Sequence, residues 1–183
     1  MKQAIRLALL AAMACAGAAQ AQGKTAAPVP LTHVYGAVEW AQLGGKGFEV
    51  DAQMNSAIPY TQLQAVDIKY AHGEGGMFAQ FTVDNGLVMP GKEMKLDLPI
   101  VQDQHVRERN GGTEHRPVVT MSFCIGDRTV TTNVTLVPRT AFTAPLQLGK
   151  EDAAQFGPID PTKKHTIDAN CAAPTAPAPA PAS

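Results

Sequence analysis

Apolar and polar residues alternate along several short stretches of the chain, which is the pattern of β-strands that bury one face. The stretches with this alternation are residues 48–55, 77–83, 94–100, 118–125 and 130–136. Gly126 and Asp127 separate the last two stretches and predict a tight hairpin turn between them. The pattern therefore predicts a domain built from many short, half-buried strands.

Helical periodicity is confined to residues 150–156, a stretch too short for more than one helix of a turn or two. Many short strands with regular turns and one short helix predict an all-β barrel or sandwich. Tyr35 and Trp40 lie at the apolar start of this domain. We expect both side chains in its core and not in a ligand-binding platform.

The first 21 residues have the composition of a secretory signal peptide. Lys2 and Arg6 form a positive n-region, residues 7–19 are apolar and alanine-rich, and residues 19–21 read Ala-Gln-Ala, a small-x-small cleavage site. Cleavage there predicts a protein that is periplasmic or secreted. The alternative is a lipoprotein cleaved before Cys15, although the preceding Ala-Met-Ala is a poor lipobox.

The mature chain after such cleavage has about 160 residues, the size of one domain with a real core. Residues 22–30 are small, polar and punctuated by proline, which predicts a flexible lead-in. The folded domain is expected over residues 31–168. Residues 169–183 are almost only alanine and proline towards their end, which predicts a disordered, extended tail.

Charge and glycine pattern exclude several classes of partner. The whole chain has 15 Lys+Arg and 16 Asp+Glu, and the leader removes two of the cations, so the mature formal charge is −3. No basic stretch is present, and we expect no nucleic acid partner and no membrane partner beyond the signal peptide. Residues 73–76 lack the lysine and the following helix of a phosphate-binding loop, so no nucleotide cofactor is expected.

Two cysteines remain after cleavage, Cys124 and Cys171. In an oxidising compartment they could form a disulfide. The alternative is a buried Cys124 on a strand and an exposed Cys171 in the tail. The sequence alone does not place their Cα atoms within the ~7 Å that a bridge needs, so both alternatives stay open.

The five histidines are scattered and form no zinc-binding motif. His105 and His115 flank a predicted hairpin and could face each other across it. Exposed polar residues on a β-ribbon are far commoner than metal ligands, so we expect no metal and no cofactor. Nucleophilic catalysis has no support either, because Ser56 and Ser122 lack a Gly-x-Ser-x-Gly context and Cys124 has no evident histidine partner.

Three separated stretches of the chain carry recognisable motifs, and the most specific is residues 106–118, which read VRERNGGTEHRPV. This stretch is similar to the pattern V-R-x-x-N-G-x-x-E-x-R-P-V of the retropepsin-like aspartic endopeptidase family, whose members are often called ATP-dependent zinc proteases. Residues 135–139 and 145–150 resemble the family's T-L-x-x-R and its later L-L-G-R. Residues 63–68 read LQAVDI, like the family's L-H-A-x-D-I. The motifs keep the family's order over most of residues 35–168.

Counting back from residue 63 without a gap places the family's catalytic D-T-G on Asn55, Ser56 and Ala57. The resemblance implies a small closed acid-protease barrel that forms a homodimer, in which each subunit gives one aspartate and the two carboxylates share one proton. Asparagine cannot accept that proton, and a Cβ at residue 57 crowds a tight turn that the family makes with glycine. The departure predicts a degenerate active site.

Asp51 is the other carboxylate to consider, since it lies on the same face of its predicted strand as Asn55. Four residues of strand separate the two side chains by roughly 13 Å, which excludes a simple substitution. An error in the register of the match would restore Asp51. An active aspartic endopeptidase therefore remains the first alternative to a degenerate site.

Charged residues surround the Asn-Gly-Gly sequence at residues 110–112. The candidates are Arg107, Asn110, Glu114 and Arg116. One interpretation is a flap that covers a peptide cleft, and the other is a solvated turn whose charges pair at little net energy. Arg116 directly precedes Pro117 and a buried strand, which favours a structural, anchoring role for its side chain.

The sequence thus predicts an exported pseudo-protease that binds an extended peptide or a protein partner. A cleft of this kind holds its ligand by strand-like backbone pairing, which does not need the carboxylates. The alternatives are an active aspartic endopeptidase and a structural protein of the cell envelope.

Overall fold

The computed structural model describes residues 33–45, 47–54, 57–85, 92–107, 111–138 and 144–171. The predicted signal peptide and lead-in lie outside the described residues, as do Asn55, Ser56, Asn110 and the tail from residue 172 onwards. Within the described ranges, no helix has the length and apolar character needed to cross a membrane.

Strands make up most of the described chain, and the described residues also contain one helix of a single turn. The strands are β1 (Tyr35–Leu43), β2 (Phe48–Gln53), β3 (Gln62–Gln64), β4 (Val66–Gly73), β5 (Gly76–Asp84), β6 (Glu93–Arg107), β7 (Thr113–Ile125), β8 (Arg128–Val137), β9 (Leu146–Gln147) and β10 (Ile159–Lys164). The helix α1 spans Lys150–Ala153. It is shorter than the predicted segment, which continues as a turn to Phe156.

Six strands close into a barrel in the order β1-β2-β9-β3-β8-β7. Closure comes from an antiparallel pairing of β7 with β1, in which Ala41 faces Ile125 and Leu43 faces Phe123. Leu43, Phe123 and Ile125 are among the largest fully buried side chains, so the seam is also part of the core. The predicted all-β closed barrel with one short helix is confirmed.

β6 belongs to two sheets, because it is 15 residues long and changes partner along its length. Its first half pairs with β5, which in turn pairs with the outer strand β4. Its second half pairs with β7 and projects from the barrel as the β6–β7 hairpin. The register shifts between Ile100 and Gln102, and the residue between them, Val101, is 52% exposed. A bulge of this kind re-aims every following side chain.

The C-terminal segment is anchored by a buried carboxylate. Glu39 on β1 has no exposed surface, and its oxygens accept hydrogen bonds from the backbone N–H of Gly36 (2.5 Å) and from the N–H of Thr166 (2.8 Å). Strand β10 runs parallel to β1 against the same region. At Gly36 a Cβ would come within 2.7 Å of the carbonyl oxygen of Lys163, so glycine permits this close approach.

Cys124 and Cys171 form a disulfide with a Cα–Cα distance of 6.0 Å. The backbone N–H of Asn170 also donates to the carbonyl of Gly126 at 2.6 Å. A covalent bond and a hydrogen bond thus hold Asn170 and Cys171 against the end of β7 and the turn that follows it.

The two aromatic residues at the start of the domain differ in position. Tyr35 is buried in the core, as expected. Trp40 points away from the core and is half-buried, because its neighbours Glu39 and Ala41 on β1 occupy the inward positions. Its indole stacks on the ring of His165, with centroids 4.1 Å apart and an interplanar angle of 8°.

Candidate functional site

The β2–β3 loop (residues 54–61) contains the position that the family motif assigns to its aspartate. Met54 at its start is fully buried, and its N–H donates to the carbonyl of Ala37 at 2.8 Å. Ala57 is exposed, and the carbonyl of Ile58 accepts a hydrogen bond from the N–H of Lys150 at 3.0 Å. Of the three predicted positions, Asn55 and Ser56 lie outside the described residues.

The short strand β9 holds both ends of this loop. Leu146 pairs in parallel with Ala52 on β2 and antiparallel with Leu63 on β3. Leu148 extends the contact, because its N–H donates to the carbonyl of Gln53 at 3.0 Å. Since one strand lies between β2 and β3, the entry and exit of the loop are fixed relative to each other.

A buried network fixes the end of the loop. The hydroxyl of Thr61 donates to a carboxylate oxygen of Asp152 on α1 and accepts a hydrogen bond from the N–H of Gly149 at 2.9 Å. Thr61 and Asp152 are both buried. A Cβ at Gly149 would lie 2.6 Å from the backbone carbon of Tyr60, so only glycine allows this approach. Strand pairing and buried hydrogen bonds thus hold the described residues at both ends of the β2–β3 loop.

Asp51, the alternative carboxylate, lies on β2 opposite Trp40 in the ladder with β1. Its Oδ1 is 3.0 Å from Nε2 of His165, and the side chain is only 14% exposed. The histidine ring is itself stacked on Trp40. Asp51 is therefore engaged by the C-terminal segment.

The charged residues predicted around the hairpin tip are only partly brought together. Glu114 and Arg116 form an ion pair with an N–O distance of 2.6 Å and are 18% and 10% exposed at their side chains. Arg107 is exposed and faces Thr113 in the ladder. Burial and pairing give Arg116 the features of an anchoring residue, whereas Asn110 lies outside the described residues.

A second cluster lies on the β6–β7 hairpin. His105 and His115 are direct partners in the ladder, and their ring centroids are 4.3 Å apart. Oδ2 of Asp103 lies 2.9 Å from Nδ1 of His115 and 3.4 Å from Nε2 of His105. The hydroxyl of Tyr70 donates to Oδ1 of the same carboxylate at 3.2 Å.

The electrostatics of this cluster favour a charged Asp103. Partial burial acts to raise the pKa of the Asp103 carboxyl, but hydrogen bonds from His115 and Tyr70 outweigh it and hold that pKa below its ordinary value. Burial, with the neighbouring Asp103 charge, raises the pKa of Tyr70 to about 12. Sequence reasoning named the two histidines and missed Asp103 and Tyr70, because their approach depends on the hairpin register and on a strand from another hairpin.

The remaining nucleophile candidates have structural partners. The hydroxyl of Ser122 lies 2.7 Å from that of Thr131 on the neighbouring strand. Cys124 is bonded to Cys171 and has no free thiol. Neither residue has the arrangement of an activated nucleophile.

Comparison with solved structures finds a protein of similar fold. The chain is similar to a structural-genomics crystal structure of a protein of unknown function (DUF785) from Legionella pneumophila subsp. pneumophila str. Philadelphia 1. The two share 26% sequence identity with a TM-score of 0.60, over 75% of this chain and 99% of the other. No curated protein sequence matches the chain at a significant level.

The family assignment rests on a match that covers the whole barrel. The sequence profile described as RimB-like, retropepsin-like aspartic endopeptidase RimB, matches residues 34–170. This range begins one residue before β1 and ends one residue before Cys171, so it includes the β2–β3 loop and the β6–β7 hairpin. The chain therefore belongs to the RimB-like family of retropepsin-like aspartic endopeptidases.

Proposed function

We propose that this protein is a catalytically inactive member of its family that binds an extended peptide or a protein partner. The observation that carries the proposal is the motif spacing, which, counted back from residue 63 without a gap, assigns Asn55 to the position of the family's catalytic aspartate. Aspartic peptidases need one ionised and one protonated carboxyl group to activate water and polarise the scissile carbonyl. A homodimer of this chain would bring two amides together, and an amide does not accept a proton from water in this pH range.

Two carboxyl groups support the same proposal, one on the strand before the loop and one in contact with the end of the loop. Asp51 pairs with His165, and Asp152 accepts a hydrogen bond from the hydroxyl of Thr61. Both groups are already used in holding elements together. Neither has the free carboxylate that a general base requires.

Retention of ligand binding is supported by the interactions that hold the described ends of the β2–β3 loop in place. β9, Gly149 and the Thr61–Asp152 contact fix the loop on both sides, and none of these interactions needs an aspartate at residue 55. Tyr60 at the loop is 64% exposed, and Ala57 is exposed as well. An exposed aromatic residue beside these fixed loop ends suits a strand-like ligand, which pairs through its backbone.

Export is part of the same proposal and is supported by the disulfide. A bridge between Cys124 and Cys171 persists in the periplasm or outside the cell, whereas the cytosol keeps thiols reduced. We infer that the leader is removed after residue 21. The mass of the mature protein purified from a periplasmic fraction would test this directly, and a lipid-modified N-terminus at Cys15 would contradict it.

The first experiment compares the mature chain with an Asn55→Asp, Ala57→Gly double variant on a diverse peptide library between pH 4 and 7. We expect no cleavage by the native chain and a gain of cleavage by the variant that pepstatin-type inhibitors block. Cleavage by the native chain would contradict the proposal and restore the active endopeptidase. The homodimer is checked on the same samples by sedimentation velocity.

The second experiment tests binding independently of catalysis. Peptides selected on the immobilised native chain should lose most of their affinity for Ala57→Trp, because the indole fills the space next to the loop. The matched control is Ala154→Trp, which places the same side chain at an exposed position after α1. Failure to select any peptide, or equal binding by both variants, would favour the structural envelope protein.

A further inference from the structure

Two histidines and an aspartate point to the same place on the β6–β7 hairpin. We propose that Asp103, His105 and His115 form a binding site for one divalent transition-metal ion of the zinc and copper class. The site is separate from the β2–β3 loop, and the proposal does not depend on whether the protein cleaves peptides.

The backbone places the three donors on one face. Asp103 and His105 are two residues apart on β6, so their side chains project to the same side of the strand. His115 is the direct partner of His105 on β7. One ligand atom from each residue lies within 4.8 Å of the other two. Donor atoms around a tetrahedral zinc ion are about 3.3 Å apart, given bonds near 2.0–2.1 Å. Small side-chain rotations therefore complete the geometry.

The carboxylate is already oriented for such a role. Tyr70 on β4 donates its hydroxyl to Oδ1 of Asp103, which leaves Oδ2 directed at the two histidines. Metal sites commonly fix a ligand in this way by a hydrogen bond to the atom that does not coordinate. The contact joins the β4–β5 hairpin to the β6–β7 hairpin. Tyr70 would act as a positioning residue and not as a ligand.

The chemistry of the donors selects the class of metal. Two imidazoles and one carboxylate suit zinc or copper, whereas magnesium and calcium prefer oxygen donors only. Three protein ligands leave a fourth position for water or for a group of a partner. The side chains of His105, His115 and Asp103 are 59%, 54% and 33% exposed, so an ion has direct access from solvent.

A bound ion would join β6 to β7 at the His105–His115 pair, two ladder pairs from Arg107 and Thr113, the last pair of the described ladder. It would restrain the strands on both sides of the charged tip that contains Arg107 and Glu114. The sequence alone favoured exposed, unliganded histidines, because it shows neither the register that pairs them nor the approach of Tyr70.

The test uses the mature protein without an affinity tag, after removal of metal with a chelator. Zinc affinity is measured by competition with a chromophoric chelator, and cobalt binding is followed by its visible absorption bands. We expect one equivalent to bind, with affinity reduced about 10-fold in Tyr70→Phe and on the order of 100-fold in His105→Ala, His115→Ala and Asp103→Asn. The matched control is His72→Ala, an exposed histidine on β4.

Circular dichroism and urea unfolding are used to check that each variant is folded. If an alanine variant is unfolded, Asp103→Asn still tests the site, because it preserves the shape of the side chain. Binding of one equivalent that only the cluster variants weaken supports the proposal. The proposal is overturned if the folded native protein binds neither zinc nor cobalt. It is overturned equally if the cluster variants bind as tightly as His72→Ala.

Discussion

At the scale of single residues, Tyr35 combines a well-packed ring with a hydroxyl that lacks a hydrogen-bond partner among the described residues. Its ring packs edge-on against Phe156, with centroids 5.5 Å apart. A buried hydroxyl without a partner costs about 1–3 kcal/mol, whereas phenylalanine keeps the packing. We expect Tyr35→Phe to leave the free energy of unfolding unchanged or raise it by about 1 kcal/mol, measured by urea denaturation at pH 7.

The same substitution carries a pH signature. Burial raises the pKa of Tyr35 above its ordinary value of 10.0, an effect that the neighbouring Arg128 reduces. Since the folded-state pKa is the higher one, the neutral phenol contributes fully below about pH 10 and its contribution is lost as pH rises further. Tyr35→Phe should therefore gain stability relative to the native protein above pH 10. A loss of more than about 1 kcal/mol at pH 7 would show that the hydroxyl has a partner.

For Thr61 we expect the opposite effect on stability, because its hydroxyl bridges two buried groups. It donates to Asp152 and accepts from the N–H of Gly149. Thr61→Val keeps the shape and removes both bonds, which should lower the free energy of unfolding by about 2–3 kcal/mol. Thr129→Val, at an exposed position on β8, is the matched control and should change stability by less than about 0.5 kcal/mol. Equal losses of stability in Thr61→Val and Thr129→Val would show that the Thr61 hydroxyl does not support the β2–β3 loop.

At the scale of elements, β9 and the start of α1 owe their position to Gly149. A Cβ there would meet the backbone N of Thr61 and the backbone carbon of Tyr60, both at 2.6 Å, and a backbone cannot rotate away as a side chain can. We expect Gly149→Ala to lower the midpoint of thermal unfolding more than Gly44→Ala does. At Gly44 the added Cβ meets nothing within 4 Å, so only its left-handed φ of +59° is strained, at about 1–2 kcal/mol.

The sequence predicts the strands that the hydrophobic core stabilises better than those that other contacts stabilise. β2, β5, β7 and β8 bury one face in the core, so alternation reveals them. β10 is different: Ile159–Lys164 contains a proline and two lysines, and it is held by parallel pairing with β1 beside the buried Glu39. β1 itself carries that glutamate at an inward position. A buried glutamate breaks the apolar pattern, and apart from Gly36 its partners lie more than a hundred residues away in sequence.

The cluster of Asp103, His105 and His115 also follows only in part from the sequence. The motif that follows His105 is visible in the sequence, and so is the possibility that the two histidines meet. Asp103 and His105 share a face because they are two residues apart, but the pairing of His115 with His105 depends on the hairpin register, and the approach of Tyr70 depends on a strand of another hairpin. In contrast, the assignment of Asn55 to the family's aspartate position is a prediction from motif spacing alone.

At the scale of the whole molecule, the disulfide joins the barrel to the C-terminal segment across 47 residues of sequence. Closing a loop of that length in the unfolded chain corresponds to about 4 kcal/mol in the chain-entropy model, and measured losses are typically about 2–4 kcal/mol. We expect Cys171→Ala to lower the free energy of unfolding by that amount. Cys171 is the residue to change, because it is half-buried, whereas replacing the buried Cys124 would also leave a cavity in the barrel wall.

Urea unfolding with and without a thiol reductant separates the bridge from the packing of the side chains. Reductant should destabilise the native protein and leave Cys171→Ala unchanged, and both should retain the barrel, because Glu39 still binds Thr166 and β10 still pairs with β1. A native protein that is indifferent to reductant would mean that the two cysteines are not joined in solution. The structure would then no longer support the inference of an oxidising compartment, and the proposal of export would rest on the leader sequence alone.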